Sequence, residues 1–115
     1  MANKSFGMPG GMGNFAKMAE QAQKMMNAAS RVEEELGEAR VEGTAGNGMV
    51  VVQMSGKADL ISVKIAKEAV DPDDIEMLED LVTTAVRDAI KNANDLRAER
   101  LQGIMPAGMS LPGLF

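Results

Sequence analysis

The residues best placed to do chemistry in this 115-residue chain are basic. Lys17, Lys24 and Arg31 are spaced seven apart. On a helix they form one stripe, with about 10.5 Å between successive charges at roughly 1.5 Å per residue. That spacing suits a run of phosphates along a nucleic-acid backbone. Arg87, Lys91, Arg97 and Arg100 give a second segment a basic tilt. Glu20, Asp88, Asp95 and Glu99 are interleaved with them, so ordinary solubilising charge accounts for the same residues at least as well. The chain offers no aromatic side chain placed to stack on bases and few groups suited to base edges. Binding to a duplex would therefore be phosphate-led and weakly sequence-specific.

Other candidate chemistries are weaker. The chain has no Cys, His, Trp or Tyr and only three Phe. This removes disulfides, thiolate metal sites, the commonest general base and the usual nucleophile triads. No catalytic residue, metal ligand, cofactor or small-molecule substrate is expected. Glu33-Glu34-Glu35 and Glu79-Asp80 read as solvated helix faces, because adjacent helical residues point in different directions. Gly43, Gly46 and Gly48 precede a strand and lack the Lys-Ser/Thr of a phosphate loop. A hairpin turn with positive φ explains them better.

Net charge is −5, but the acidity is local. Residues 68–80 hold Glu68, Asp71, Asp73, Asp74, Glu76, Glu79 and Asp80 and no cation. The remainder carries a small positive excess, so net charge does not argue against an anionic partner. No run is long and apolar enough to span a membrane. The N-terminus does not read as a signal peptide, so the expected location is the cytoplasm.

Two long helices must position the basic residues. The first is expected over Phe15–Leu36, with Asn14 as its cap and Gly37 as its stop. Phe15, Met18, Ala22, Met25, Ala29, Val32 and Leu36 alternate by three and four, which is a coiled-coil seam. The second runs from the Asp71-Pro72-Asp73-Asp74 start to Gln102. Leu78, Leu81, Val82, Ala85, Val86, Ala89, Ile90 and Ala93 make its apolar stripe. Beyond Ala93 it turns polar, so that end is expected to project. Between the helices lie three strand signals: 39–43, 49–54 and 60–65, separated by turns at 43–48 and 55–59.

The fold class is α+β: long helix, three-stranded antiparallel sheet, long helix. Residues 14–102 form one domain. Residues 1–13 read as a flexible Gly/Met-rich tail and 103–115 as a flexible Met/Pro/Gly tail, whose apolar residues are able to dock on a neighbour. One sheet with one covering helix is a small core for two long helices with spare apolar surface, so a two-fold homodimer is expected. Its interface is expected at Met25, Ala29, Val32, Val51, Leu78, Leu81, Val82, Ala85 and Ala89. A second reading is a protein-interaction or prefoldin-like holdase module. Paired helices, a hairpin and eleven Met would suit client binding.

Several segments, taken in order, resemble the YbaB/EbfC family of small bacterial nucleoid-associated proteins. They are AKMAEQAQKMMNAASRVEEEL, then VEGTAGNGMVVVQMSG, then Met77-Leu78-Glu79-Asp80-Leu81-Val82 followed by Ala85, Asp88 and Ala89, then MSLPGLF. The resemblance implies a tweezer-like homodimer with projecting helical arms. It also implies binding to double-stranded DNA in the nucleoid without catalysis, organising the nucleoid or influencing gene expression. The DNA contacts it implies lie on the two terminal helices, where Lys17, Lys24, Arg31, Arg97 and Arg100 are the positions available.

Overall fold

In a computed structural model, residues 9–104 are described, with side chains from residue 13. Helix α1 spans Pro9–Glu38, strands β1, β2 and β3 span Arg40–Ala45, Val50–Ser55 and Leu60–Ile65, and helix α2 spans Ile75–Gln102. A single 3-10 turn, Lys67–Ala69, links β3 to α2. The expected order and fold class are what is found. The tail residues 1–8 and 105–115 lie outside the described residues.

The strands form an antiparallel meander in the order β1-β2-β3. Val41, Gly43 and Ala45 pair with Met54, Val52 and Val50. Cross-strand partners share a face, so these six residues line one side of the sheet. Helix α2 lies across that side of β1 and β2, burying Ala45, Val50, Val52 and Met54 against Ala85 and Ala89. The small residues on α2 let it sit close. A Cβ on Gly43 would come within 2.1 Å of the Ala89 backbone nitrogen and 2.2 Å of the Ala85 carbonyl oxygen. Gly43 therefore belongs to β1 and serves close packing, instead of opening the hairpin turn. The turn itself is Gly46-Asn47-Gly48, and all three have positive φ.

The same helix closes the outer edge of β1. Thr44 N–H donates to Asp88 Oδ2 at 3.0 Å, and Asn92 Nδ2 donates to the Glu42 carbonyl at 2.7 Å. An unpaired strand edge invites pairing with another chain, and these two side chains satisfy part of this one. On the other side β3 is only half served. Val63 and Ile65 pair with Val52 and Val50, and a bulge at Ile61 brings Leu60 opposite Met54. Helix α2 stops short of them, so Leu60, Ile61, Val63 and Ile65 stay exposed on an otherwise apolar face.

Helix α2 begins four residues later than its acid-proline signal suggests. Pro72 suits a turn as well as a first helical turn, and here the turn wins. Asp71 Oδ1 accepts from Asp73 N–H at 2.9 Å, and Asp74 is the cap, accepting from Met77 N–H at 3.1 Å. Asp74→Ala is expected to cost about 1 kcal/mol, readable as a lower midpoint in urea unfolding.

Helix α1 also differs at both ends. It starts at Pro9, a residue pre-set for a first helical turn. It continues through Gly37 to Glu38, because its last carbonyls find partners. Gly56 N–H donates to the Leu36 carbonyl at 2.8 Å, and Arg40 Nη1 donates to the carbonyls of Gly37 and Ala39. A Cβ on Gly56 would press on Leu36 at 2.8 Å, so this glycine docks α1 against the β2–β3 turn. The chain measures 87 × 24 × 21 Å with a radius of gyration of 23.0 Å. A compact domain of this size would have about 13 Å, so much of the protein projects from its core.

Candidate nucleic-acid interface

The projecting arm is the N-terminal half of α1. Every residue from Gly13 to Asn27 is exposed. Of the expected seam only the C-terminal part is covered: Ala29 is half-buried, and Val32 and Leu36 are buried. Lys17, Lys24 and Arg31 are all exposed along this helix. Among the described residues none of the three takes part in an ion pair. At about 100° of turn per residue the cations sit roughly 130° around the helix from the seam, so charge and apolar surface occupy different faces of one arm.

Helix α2 does not project as its polar end suggests. Its last two turns lie against α1. Ala93 is buried, and Leu96, Arg97, Ala98, Arg100 and Leu101 are half-buried. Arg97 pairs with Glu33, and Arg100 Nη1 lies 3.1 Å from Glu35 Oε1. These pairs keep about two-fifths of their arginine surface in water, so each contributes at most about 1 kcal/mol. Their role is to set the crossing of the two helices. Lys91 is held by Asp95 at 2.8 Å. That hydrogen bond, then the charge of Asp95, raises its pKa above the ordinary lysine value. Of the basic candidates, Lys17, Lys24, Arg31 and Arg87 are exposed and outside the ion pairs of the described residues. The first three share one face of α1, Arg87 stands alone on α2, and Arg97 and Arg100 flank the base of the arm with carboxylates attached.

The carboxylates of the acidic block are exposed around the start of α2, where they complement the positive end of the helix dipole. Among the described residues no group of His, Cys, Asp or Glu is arranged to hold a metal ion, and no helix is long and apolar enough to cross a membrane.

The expected interface residues differ in exposure. Val32, Ala85 and Ala89 are already buried within one protomer. Ala29, Val51, Leu78, Leu81 and Val82 are half-buried, and Met25 is exposed. Leu78 and Val82, with Ile65, Glu79 and Thr83, line an open groove of about 500 Å³ beside the uncovered part of the sheet.

The YbaB/EbfC DNA-binding family model matches residues 12–109. The chain belongs to this family. The match takes in both helices and the whole sheet. Among curated relatives, a nucleoid-associated protein of Desulforamulus reducens is 48% identical over 103 residues, covering 90% of this chain and 97% of its own. One of Geobacillus sp. (strain WCH70) is 51% identical, covering 94% and 99%. The crystal structure of an uncharacterized protein, HP0035, from Helicobacter pylori shares the fold. Its TM-score is 0.69 at 21% identity, covering 80% of this chain and 97% of that one.

Asp88 and Asn92 were not legible as site-builders. Asp88 reads as one solubilising charge among several, yet it ties α2 to the β1 edge. The available signal was the Asp88-Ala89 pair in the helix signature, where an alanine that packs follows an acid that bonds.

Proposed function

We propose that the protein binds double-stranded DNA as a homodimer, mainly through phosphate contacts with low sequence specificity. In this reading it is cytoplasmic and nucleoid-associated, and helps organise the nucleoid or influences gene expression. The observation that carries it is the line of three exposed cations, Lys17, Lys24 and Arg31, outside the ion pairs of the described residues. Lys17 and Lys24 are on the arm that stands clear of the core, and Arg31 is at its base beside the end of α2. The names of the relatives support the location. A chain with this little aromatic and base-reading chemistry neutralises phosphates and recognises little else. Anisotropy titrations against duplex DNA at several salt concentrations test it. The logarithm of affinity should fall linearly with that of salt, by about 0.9 per phosphate contact. Failure to bind duplex at low salt overturns the reading.

The homodimer is supported by Leu60, Ile61, Val63 and Ile65, which continue the buried face of the sheet beyond α2. Surface of that kind in one continuous patch is what an interface buries. The patch lies outside the residues expected from the sequence, but two of those, the half-buried Leu78 and Val82, line the groove beside it. Light scattering should give twice the 12.2 kDa of one chain. Val63→Glu with Ile65→Glu should return it to one chain's mass. A wild-type mass of one chain refutes the dimer.

The prefoldin-like holdase reading draws on the bare apolar seam of the arm, Phe15, Met18 and Met25. Salt-insensitive suppression of a model protein's aggregation, without DNA binding, would favour it.

A further inference from the structure

One apolar stripe of α1 is covered over half its length and bare over the other half. From Leu36 back to Ala28 it is covered by the end of α2, where Gly103 and Ile104 lie in a groove with Ala28, Arg31 and Val32. From Met25 back to Phe15 it is open. Phe15 is 71% exposed and Met18 65%. The covering stops where α2 stops, and Ile104 sits at the boundary, half-buried.

Eleven residues, Met105 to Phe115, follow Ile104 in the sequence. We propose that this segment continues past the end of α2 along the same chain's α1 and covers the seam at Met25, Ala22, Met18 and Phe15. The chemistry is matched. The segment has no charged residue, and Met105, Met109, Leu111, Leu114 and Phe115 are large and apolar. Pro106 and Pro112 bar a continued helix, so the proposed strap is an extended one. The reach is ample. Ala28 to Phe15 is about 20 Å along a helix axis, and eleven residues extend to roughly 36 Å. The site continues an existing contact, because the strap takes up the stripe where α2 leaves it. It also leaves the cations free, since Lys17 and Lys24 stand on another face of the helix. The proposal is independent of DNA binding.

The chain has no cysteine, so paired cysteines report position cleanly. Met18→Cys and Leu111→Cys are introduced together and singly in the full chain, oxidised mildly, and the masses measured. The expected result is a disulfide within one chain in the double variant, at one chain's mass, and free thiols in both single variants. Covalent dimers from Met18→Cys alone would assign the seam to a second copy. Links only between chains, or no link at all, would equally overturn the proposal. As a second measurement, Leu111→Ser, Leu114→Ser and Phe115→Ser together in the full chain should speed hydrogen exchange over residues 15–25 by about tenfold. Unchanged exchange there overturns it.

Discussion

Gly43→Ala is expected to destabilise the protein by about 3 kcal/mol or more, at the upper end of what forced overpacking costs. The midpoint of thermal unfolding should fall by roughly 12 °C in a chain of this size. The new methyl would lie 2.1 Å from one backbone atom of α2, 2.2 Å from a second and 2.7 Å from a third. Backbone cannot rotate away as a side chain can, so the helix must move out. Moving it opens the contact of Ala85 and Ala89 with Val50 and Val52, where all four are fully buried. It also pulls Asp88 from Thr44 and Asn92 from Glu42, leaving the β1 edge bare. Gly13→Ala is the control, since nothing lies within 4 Å of its added carbon. If Gly43→Ala unfolds within a degree or two of the parent, the close approach of α2 to β1 is wrong.

That glycine also marks how far the sequence could be read. Its neighbours Gly46 and Gly48 sit at positive φ, as turn chemistry implies. Gly43 looks the same in the sequence but is needed for space, and space is set by a helix more than forty residues later. Strand β3 was legible to the residue, because alternation is a local signal. The bulge at Ile61 was not, since register depends on the partner strand. The start of α2 was ambiguous for a local reason. Pro72 satisfies a turn and a helix alike, and only the side-chain bond from Asp74 to Met77 N–H decides between them. The candidate site divides the same way. The seven-residue spacing of Lys17, Lys24 and Arg31 put them on one face of any helix that carried them. Arg97 and Arg100 looked equivalent, but their partners Glu33 and Glu35 lie on another helix, in a run that reads as solvated surface.

This difference in pairing makes the second large prediction specific. Lys17→Ala, Lys24→Ala and Arg31→Ala together should weaken duplex binding at about 50 mM salt by at least a hundredfold. They should also lower the salt slope by about three for each engaged arm, one contact accounting for roughly 0.9. The core should be untouched, because all three residues are exposed and only Arg31 borders the groove between α1 and the end of α2. Arg97→Ala with Arg100→Ala should change the slope less per residue. Each of these arginines already has a carboxylate beside it. A phosphate must displace that carboxylate, and the exchange releases little net charge to the solvent. Their loss should show first in the crossing of α1 and α2, as a lower unfolding midpoint at low salt that converges on the parent's as salt screens the pairs. Equal slope changes per residue in the two variant sets would mean that DNA opens the Arg97 and Arg100 pairs on binding. An unchanged affinity in the triple variant would mean that the arm of α1 is not where the phosphates lie.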